Sequence, residues 1–139
     1  MQFYNEILWL TALVVTFSIF LAVYRFSGKT GLFIWIGIAS VLANIQVIKL
    51  IDFFGFTITL GNVLYATTFM ATDILSENYS KEHARKSIWV GFIAITCMIV
   101  LMKISTLFKP AEADFVSGSL NTIFDFMPRV SLASLAAFV

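Results

Sequence analysis

The sequence predicts an all-α, polytopic transmembrane helical bundle, and three observations carry that prediction. The 139 residues are 60% hydrophobic and only 12% charged, whereas a soluble domain has about 25% charged residues and could not cover this much apolar surface. Long apolar runs recur along the chain with short polar segments between them. At about 20 residues per span, the length fits four to five spans in a single domain, 1–139.

The first apolar run, residues 7–24, carries no charge and is followed by Arg25 and the turn-like SGKTG of residues 27–31. A spanning helix and a tight loop are expected there. Residues 32–50 form a second run whose polar groups, Asn44, Gln46 and Lys49, gather toward one end. The segment IDFFGFTITLGN, 51–62, is β-branched, aromatic and broken by Gly55 and Gly61. It is too short to span and reads as an interfacial or re-entrant connection. A third span is expected over 63–77 and a fourth over 87–108, joined by the polar stretch NYSKEHARK. Pro110 stops the fourth helix, and a last run begins at Leu120, interrupted by Asp125, Pro128 and Arg129. Residues 130–139 amount to about half a span, so the bundle is expected to be incomplete at its C-terminal end.

The first segment lacks the basic start and small-residue cleavage site of a signal peptide, so it reads as a retained span. Basic residues concentrate in the first and third connections, at Arg25, Lys29, Lys81, Arg85 and Lys86. The positive-inside rule then makes those loops cytoplasmic and places the N-terminus outside. A net charge of +1 gives no footprint for nucleic acid. Cys97 is the sole cysteine, so neither a disulfide nor a thiolate metal site is expected, and it reads as a packing residue. His83, the sole histidine, reads as a solvated loop residue. The sequence holds no HExxH, GxSxG, P-loop or GxGxxG, which sets enzyme chemistry and cofactors aside and leaves ATP-derived energy to a partner.

Two carboxylates, Asp73 and Glu77, close the third apolar run. Acids near hydrocarbon are costly and more often functional than tolerated. Tyr65, Phe69, Asp73 and Glu77 are four apart, an aromatic stripe leading to two acids. That pattern suits a flat heterocycle: aromatic rings hold its plane, and a carboxylate accepts paired N–H bonds. The plainer alternatives are that Glu77 sits at the water interface and that Asp73 pairs with Arg85 or Lys81. Asn44 and Gln46 can read a neutral base edge, although Asn44 can equally bond a neighbouring helix. Asn44 and Lys49 lie about 140° apart on a helix, so Lys49 either snorkels to the interface or meets Asp52 or a ligand. Asp125 and Arg129 pair if the helix runs through Pro128; otherwise Asp125 belongs to the preceding loop.

Two segments, ANIQVIKLIDFFGFTITLGNVLY and TDILSENYSKEHARKSIWVGF, resemble the queuosine precursor transporter family, of the vitamin uptake type. The match is good over residues 43–92 and looser over PRVSLASLAAF. It rests on the spacing of Asp73, Glu77, Tyr79, Ala84 and Arg85 with Asn44, Lys49 and Asp52 upstream. Ser80 stands where the family has Gly. The resemblance implies a six-helix bundle in the bacterial inner membrane that takes up a 7-deazaguanine base for queuosine salvage. It further implies that Asp73 and Glu77 accept from the guanine-like edge, Asn44 and Gln46 meet other ring atoms, and Tyr65 or Phe69 stack. An energising partner or homo-oligomer fits the same expectation. The alternative is a non-transporting assembly subunit or degenerate fragment in which the acids are structural.

Overall fold

A computed structural model describes residues 3–138, with side chains through 133. Four helices, α1 (Tyr4–Gln46), α2 (Asn62–Asn78), α3 (Lys81–Ser105) and α4 (Ser117–Phe138), are joined by short connections and one β hairpin, β1 (Leu50–Phe53) and β2 (Phe56–Thr59). Two of them, α1 and α3, are long and apolar enough to cross a membrane. The end of the chain at Val139 lies outside the described residues.

The first two expected spans are the halves of α1, and the expected loop has shrunk to one residue. Gly28 adopts φ 54°, ψ −133° inside the 43-residue element, a conformation that L side chains rarely adopt. The chain folds back there: Phe20 and Trp35 meet with ring centroids 5.7 Å apart, although 15 helical residues would hold them about 22 Å apart in a straight rod. Gly31 permits the close return, since a Cβ there would stand 2.5 Å from the Val23 carbonyl oxygen. Helix α2 packs on the second half of α1 through Leu64, Ala71 and Leu75 against Leu32, Ile36 and Ala43. Inside that seam Trp35 Nε1 donates to Thr67 Oγ1 (3.0 Å), which itself donates to the Leu64 carbonyl (2.7 Å). The indole N–H is thereby satisfied where water is excluded.

The segment expected to be an irregular connection, 51–62, is instead mostly an antiparallel hairpin, which corrects the purely helical prediction. Ile51 pairs with Ile58 and Phe53 with Phe56. Its turn residues, Phe54 (φ 48°) and Gly55 (φ 81°), both have positive φ, as a two-residue hairpin turn requires. A lone hairpin is marginal, and this one is anchored on the start of α1. Glu6 Oε1 accepts from the Phe54 amide (2.9 Å), Asn5 Nδ2 donates to the Asp52 carbonyl (2.8 Å), and Trp9 packs on Phe53 at 5.4 Å. The Asp52 carboxylate accepts from Thr57 Oγ1 across the hairpin at 3.1 Å, and Lys49 is exposed.

Most of the polar stretch expected as the third loop is the first turn of α3, capped by Ser80, whose Oγ accepts from the His83 amide. His83 is therefore no solvated loop residue: it is half-buried, 2.7 Å from Ser80 Oγ and 3.3 Å from Lys29 Nζ on α1, with Phe33 edge-on. Cys97, expected to be packed, is exposed on α3. Helix α4 continues through Pro128, and Asp125 pairs with Lys103 of α3, not with Arg129.

The entry to α4 is held by Asp114. Its carboxylate accepts from the Ser117 hydroxyl (2.7 Å) and from the Val116 (2.8 Å) and Ser117 (3.0 Å) amides. The Ser117 hydroxyl, then the two amides, hold its pKa below the ordinary carboxylate value. A depressed folded-state value means support that is complete above the unfolded pKa and is lost as pH falls through the folded one. Acidification below about pH 4 should therefore lower the amide protection factors at Val116 and Ser117, measured against the intrinsic exchange rate at each pH, before the α1–α2 seam responds. Uniform protection across that range by hydrogen exchange would contradict this role.

Candidate functional site

A cavity of about 130 Å³ lies between α1, α2 and α3, with α4 reaching it through Ser131. An engineered apolar cavity of about 150 Å³ admits benzene, so the enclosed part of this one is on the scale of a single aromatic ring, and a fused two-ring ligand would extend toward its accessible side. Ile36, Ser40 and Asn44 form its α1 wall, at four-residue spacing. Helix α2 contributes Tyr65, Thr68, Phe69 and Thr72. Gly91 of α3 leaves room opposite, since a Cβ there would stand 2.9 Å from Ser40 Oγ and 3.6 Å from Ile36 Cγ2. Phe69, 55% exposed, and Ile88, 40% exposed, stand at its accessible side.

The lining is apolar except for a few polar atoms, and some of these already have partners. Thr68 Oγ1 donates to the Tyr65 carbonyl (2.7 Å) and Thr72 Oγ1 to the Phe69 carbonyl (2.7 Å), so both hydroxyls bond their own helix. Asn44 is different. It is 0% exposed, its Nδ2 donates to the Ser40 carbonyl (2.8 Å), and its Oδ1 has no hydrogen-bond partner. Among the described residues only one other buried side-chain atom shares that condition, Ser131 Oγ, on a residue 2% exposed. Both residues line this one cavity. Buried polar groups are nearly always satisfied, and leaving one unsatisfied costs about 1–3 kcal/mol. Two such atoms face one void, with no hydrogen-bond partner among the described residues.

Of the six residues singled out from sequence, Asn44, Tyr65 and Phe69 meet at the cavity. Gln46 is exposed at the end of α1, outside the lining. Asp73 and Glu77 are also exposed and outside it. The reason is helical geometry. At about 100° per residue, each four-residue step gains about 40°, so the stripe that starts at Tyr65 has turned about 80° by Asp73 and 120° by Glu77. The cavity face of α2 follows Tyr65, Thr68 and Thr72 instead. Ser131 was not anticipated, because a serine in VSLAS carries no local sign of facing a void. Groups of three or more potential metal ligands are absent among the described residues.

Comparison with known proteins gives these observations a context. Residues 59–139 match a family profile described as "Putative vitamin uptake transporter". A protein of Bacillus subtilis (strain 168) named "Probable queuosine precursor transporter" is 46% identical over 136 residues, 98% of this chain and 59% of that protein. A Haemophilus influenzae protein with the same name is 37% identical over 87 residues, 62% of this chain and 35% of its own length. The chain thus spans between about a third and three-fifths of the curated relatives it matches. No solved structure matches. The family is one of transporters, not of enzymes, which accords with the two helices of this chain, α1 and α3, that are long and apolar enough to cross a membrane. The profile covers α2, α3 and α4, the helices that face Asn44 across the cavity, and with it the chain belongs to the vitamin uptake transporter family.

Proposed function

We propose that this chain takes part in uptake of a queuosine precursor, a 7-deazaguanine type base, across the bacterial cytoplasmic membrane. The observation that carries the reading is Asn44 Oδ1, buried and without a partner at an aromatic-walled cavity. A guanine-like ring presents N–H donors that would satisfy it, while Tyr65 and Phe69 hold the ring plane. The names of the two relatives supply the cargo. Asp73 and Glu77, one and two turns beyond Phe69 on α2, are assigned to receiving the donor-rich edge during approach, with Gln46 at the far end of the α1 wall. Exposed acids in hydrocarbon are costly, which favours a watery or protein-covered path beside them. The bundle is read as four to five spans of a six-helix fold, N-terminus outside, cycling by alternate exposure of its cavity. An energising partner or a second copy is compatible with it.

Cells unable to make 7-deazaguanines test this directly. Expression of the chain should raise uptake of labelled base above that of empty membranes, and Asp73→Asn should slow it. Protein present in the membrane with no uptake would favour the alternative, an assembly subunit. Normal uptake by Asp73→Asn would remove the acid from the pathway and leave Asn44 in place.

A further inference from the structure

A second recess lies at the elbow of α1 and shares no lining residue with the cavity at Asn44. It is an open cleft of about 650 Å³, lined by Leu21, Ala22, Tyr24, Arg25 and Gly28 of α1 and by Tyr79, the residue that ends α2. Gly28 turns the chain there without filling the space, since no atom lies within 4 Å of where its Cβ would stand. The cleft changes character along α1. Leu21 and Ala22 are exposed and belong to the uncharged run 7–24, whereas Arg25, one turn of helix or about 6 Å from Leu21, brings a charge.

That charge is unopposed. The lining contains no acid, and the two ion pairs among the described residues, Lys86–Glu82 and Lys103–Asp125, leave Arg25 out. Lys29 adds a second cation at the rim, its Nζ 5.9 Å from the centroid of the Tyr79 ring and 3.3 Å from His83 Nε2, neither of which cancels its charge. Tyr24 and Tyr79 interact with each other here and supply phenol hydroxyls. An occupant that satisfies every wall is apolar at one end and anionic at the other. A free anion would leave the Leu21 and Ala22 surface uncovered, and a zwitterionic headgroup would bring its own cation against Arg25 and Lys29. On the positive-inside reading the elbow lies at the cytoplasmic face, where anionic lipids gather basic side chains.

We propose that the elbow cleft binds an anionic phospholipid of the cytoplasmic leaflet. Arg25 holds the phosphate, the guanidinium being suited to paired N–H donation to its oxygens, with the two phenols beside it and Lys29 at the rim. The glycerol and first acyl carbons lie on Leu21 and Ala22. Such a lipid bridges the first half of α1 to the end of α2 and braces a turn that Gly28 leaves without side-chain support. The site does not depend on which cargo the protein carries.

Native mass spectrometry of the whole chain in a neutral detergent, titrated with phosphatidylglycerol or with phosphatidylcholine of the same acyl chains, tests the proposal. Phosphatidylglycerol should bind at least about fivefold more tightly, the worth of one basic side chain at an anionic surface. Arg25→Gln should remove about that factor for phosphatidylglycerol, leave phosphatidylcholine unchanged and, because Arg25 makes no ion pair, leave the melting temperature in phosphatidylcholine unmoved. Lys81→Gln removes an equal charge from an exposed position outside the lining and should keep the wild-type preference. Millimolar inorganic phosphate should not displace the lipid. Equal affinity for the two lipids would overturn the proposal. The same loss in Lys81→Gln as in Arg25→Gln would replace it with diffuse surface charge, and displacement by phosphate would replace it with a free-anion site.

Discussion

Replacing Asn44 by leucine is expected to stabilise the protein and abolish the proposed uptake. The two effects have opposite signs because one atom causes both. In the empty protein Asn44 Oδ1 is desolvated and unpaired, at a cost of about 1–3 kcal/mol. Leucine keeps the branched heavy-atom shape and puts its extra volume against the cavity that Asn44 lines, removes that cost, and gives up the single donation to the Ser40 carbonyl, which already serves as a helix acceptor. A gain of about 1 kcal/mol is expected, readable as a rise in melting temperature in detergent. Uptake of labelled 7-deazaguanine should fall to the level of empty membranes. Destabilisation with uptake retained would mean that Asn44 is a packing element between helices, the plainer role its sequence context allowed.

The second large effect is expected at Gly31. A Cβ at this position would stand 2.5 Å from the Val23 carbonyl oxygen and 3.0 Å from Ser27 Cβ, and a backbone oxygen inside a helix has nowhere to move. Gly31→Ala should therefore cost about 3 kcal/mol, the upper part of the overpacking range, by wedging the two halves of α1 apart. Gly28→Ala is the informative comparison. The space around Gly28 is open, with no atom within 4 Å of a new Cβ, and only its positive φ opposes a side chain. Its cost of about 1–3 kcal/mol is strain at the fold-back, which should leave the Phe20–Trp35 contact intact once formed. Tryptophan fluorescence and thermal unfolding of the two variants separate these cases. Equal behaviour would mean that the halves do not close as tightly as described.

The sequence made the helices legible because apolar length is a one-dimensional signal. The fold-back of α1 could be placed to within a few residues from SGKTG, though not its reduction to Gly28 alone. IDFFGFTIT showed its β-branched and aromatic character but was read as irregular, since nothing local announces that Glu6 and Trp9, more than 40 residues away, receive a hairpin. At the site, Asn44, Tyr65 and Phe69 were found because amides and aromatics stand out in an apolar run. Asp73 and Glu77 stood out for the same reason, yet conspicuous residues are placed by angle as well as spacing, and the accumulated turn of the helix carries them off the cavity face. Ser131 shows the converse: its importance comes from having no partner, a property that only three-dimensional contacts define.

The hairpin bound to Asn5, Glu6 and Trp9 has a mechanical consequence. It ties the beginning of the chain to the entrance of α2, so both halves of α1 and α2 are braced as a frame. On the opposite side, the described side chains that α4 buries are Phe124, Met127 and Ser131, and the helix is tethered by Lys103 to Asp125, with a proline one turn before the serine. If the proposed alternate exposure of the cavity operates, the fourth helix is the element with the fewest ties to the frame that holds Asn44.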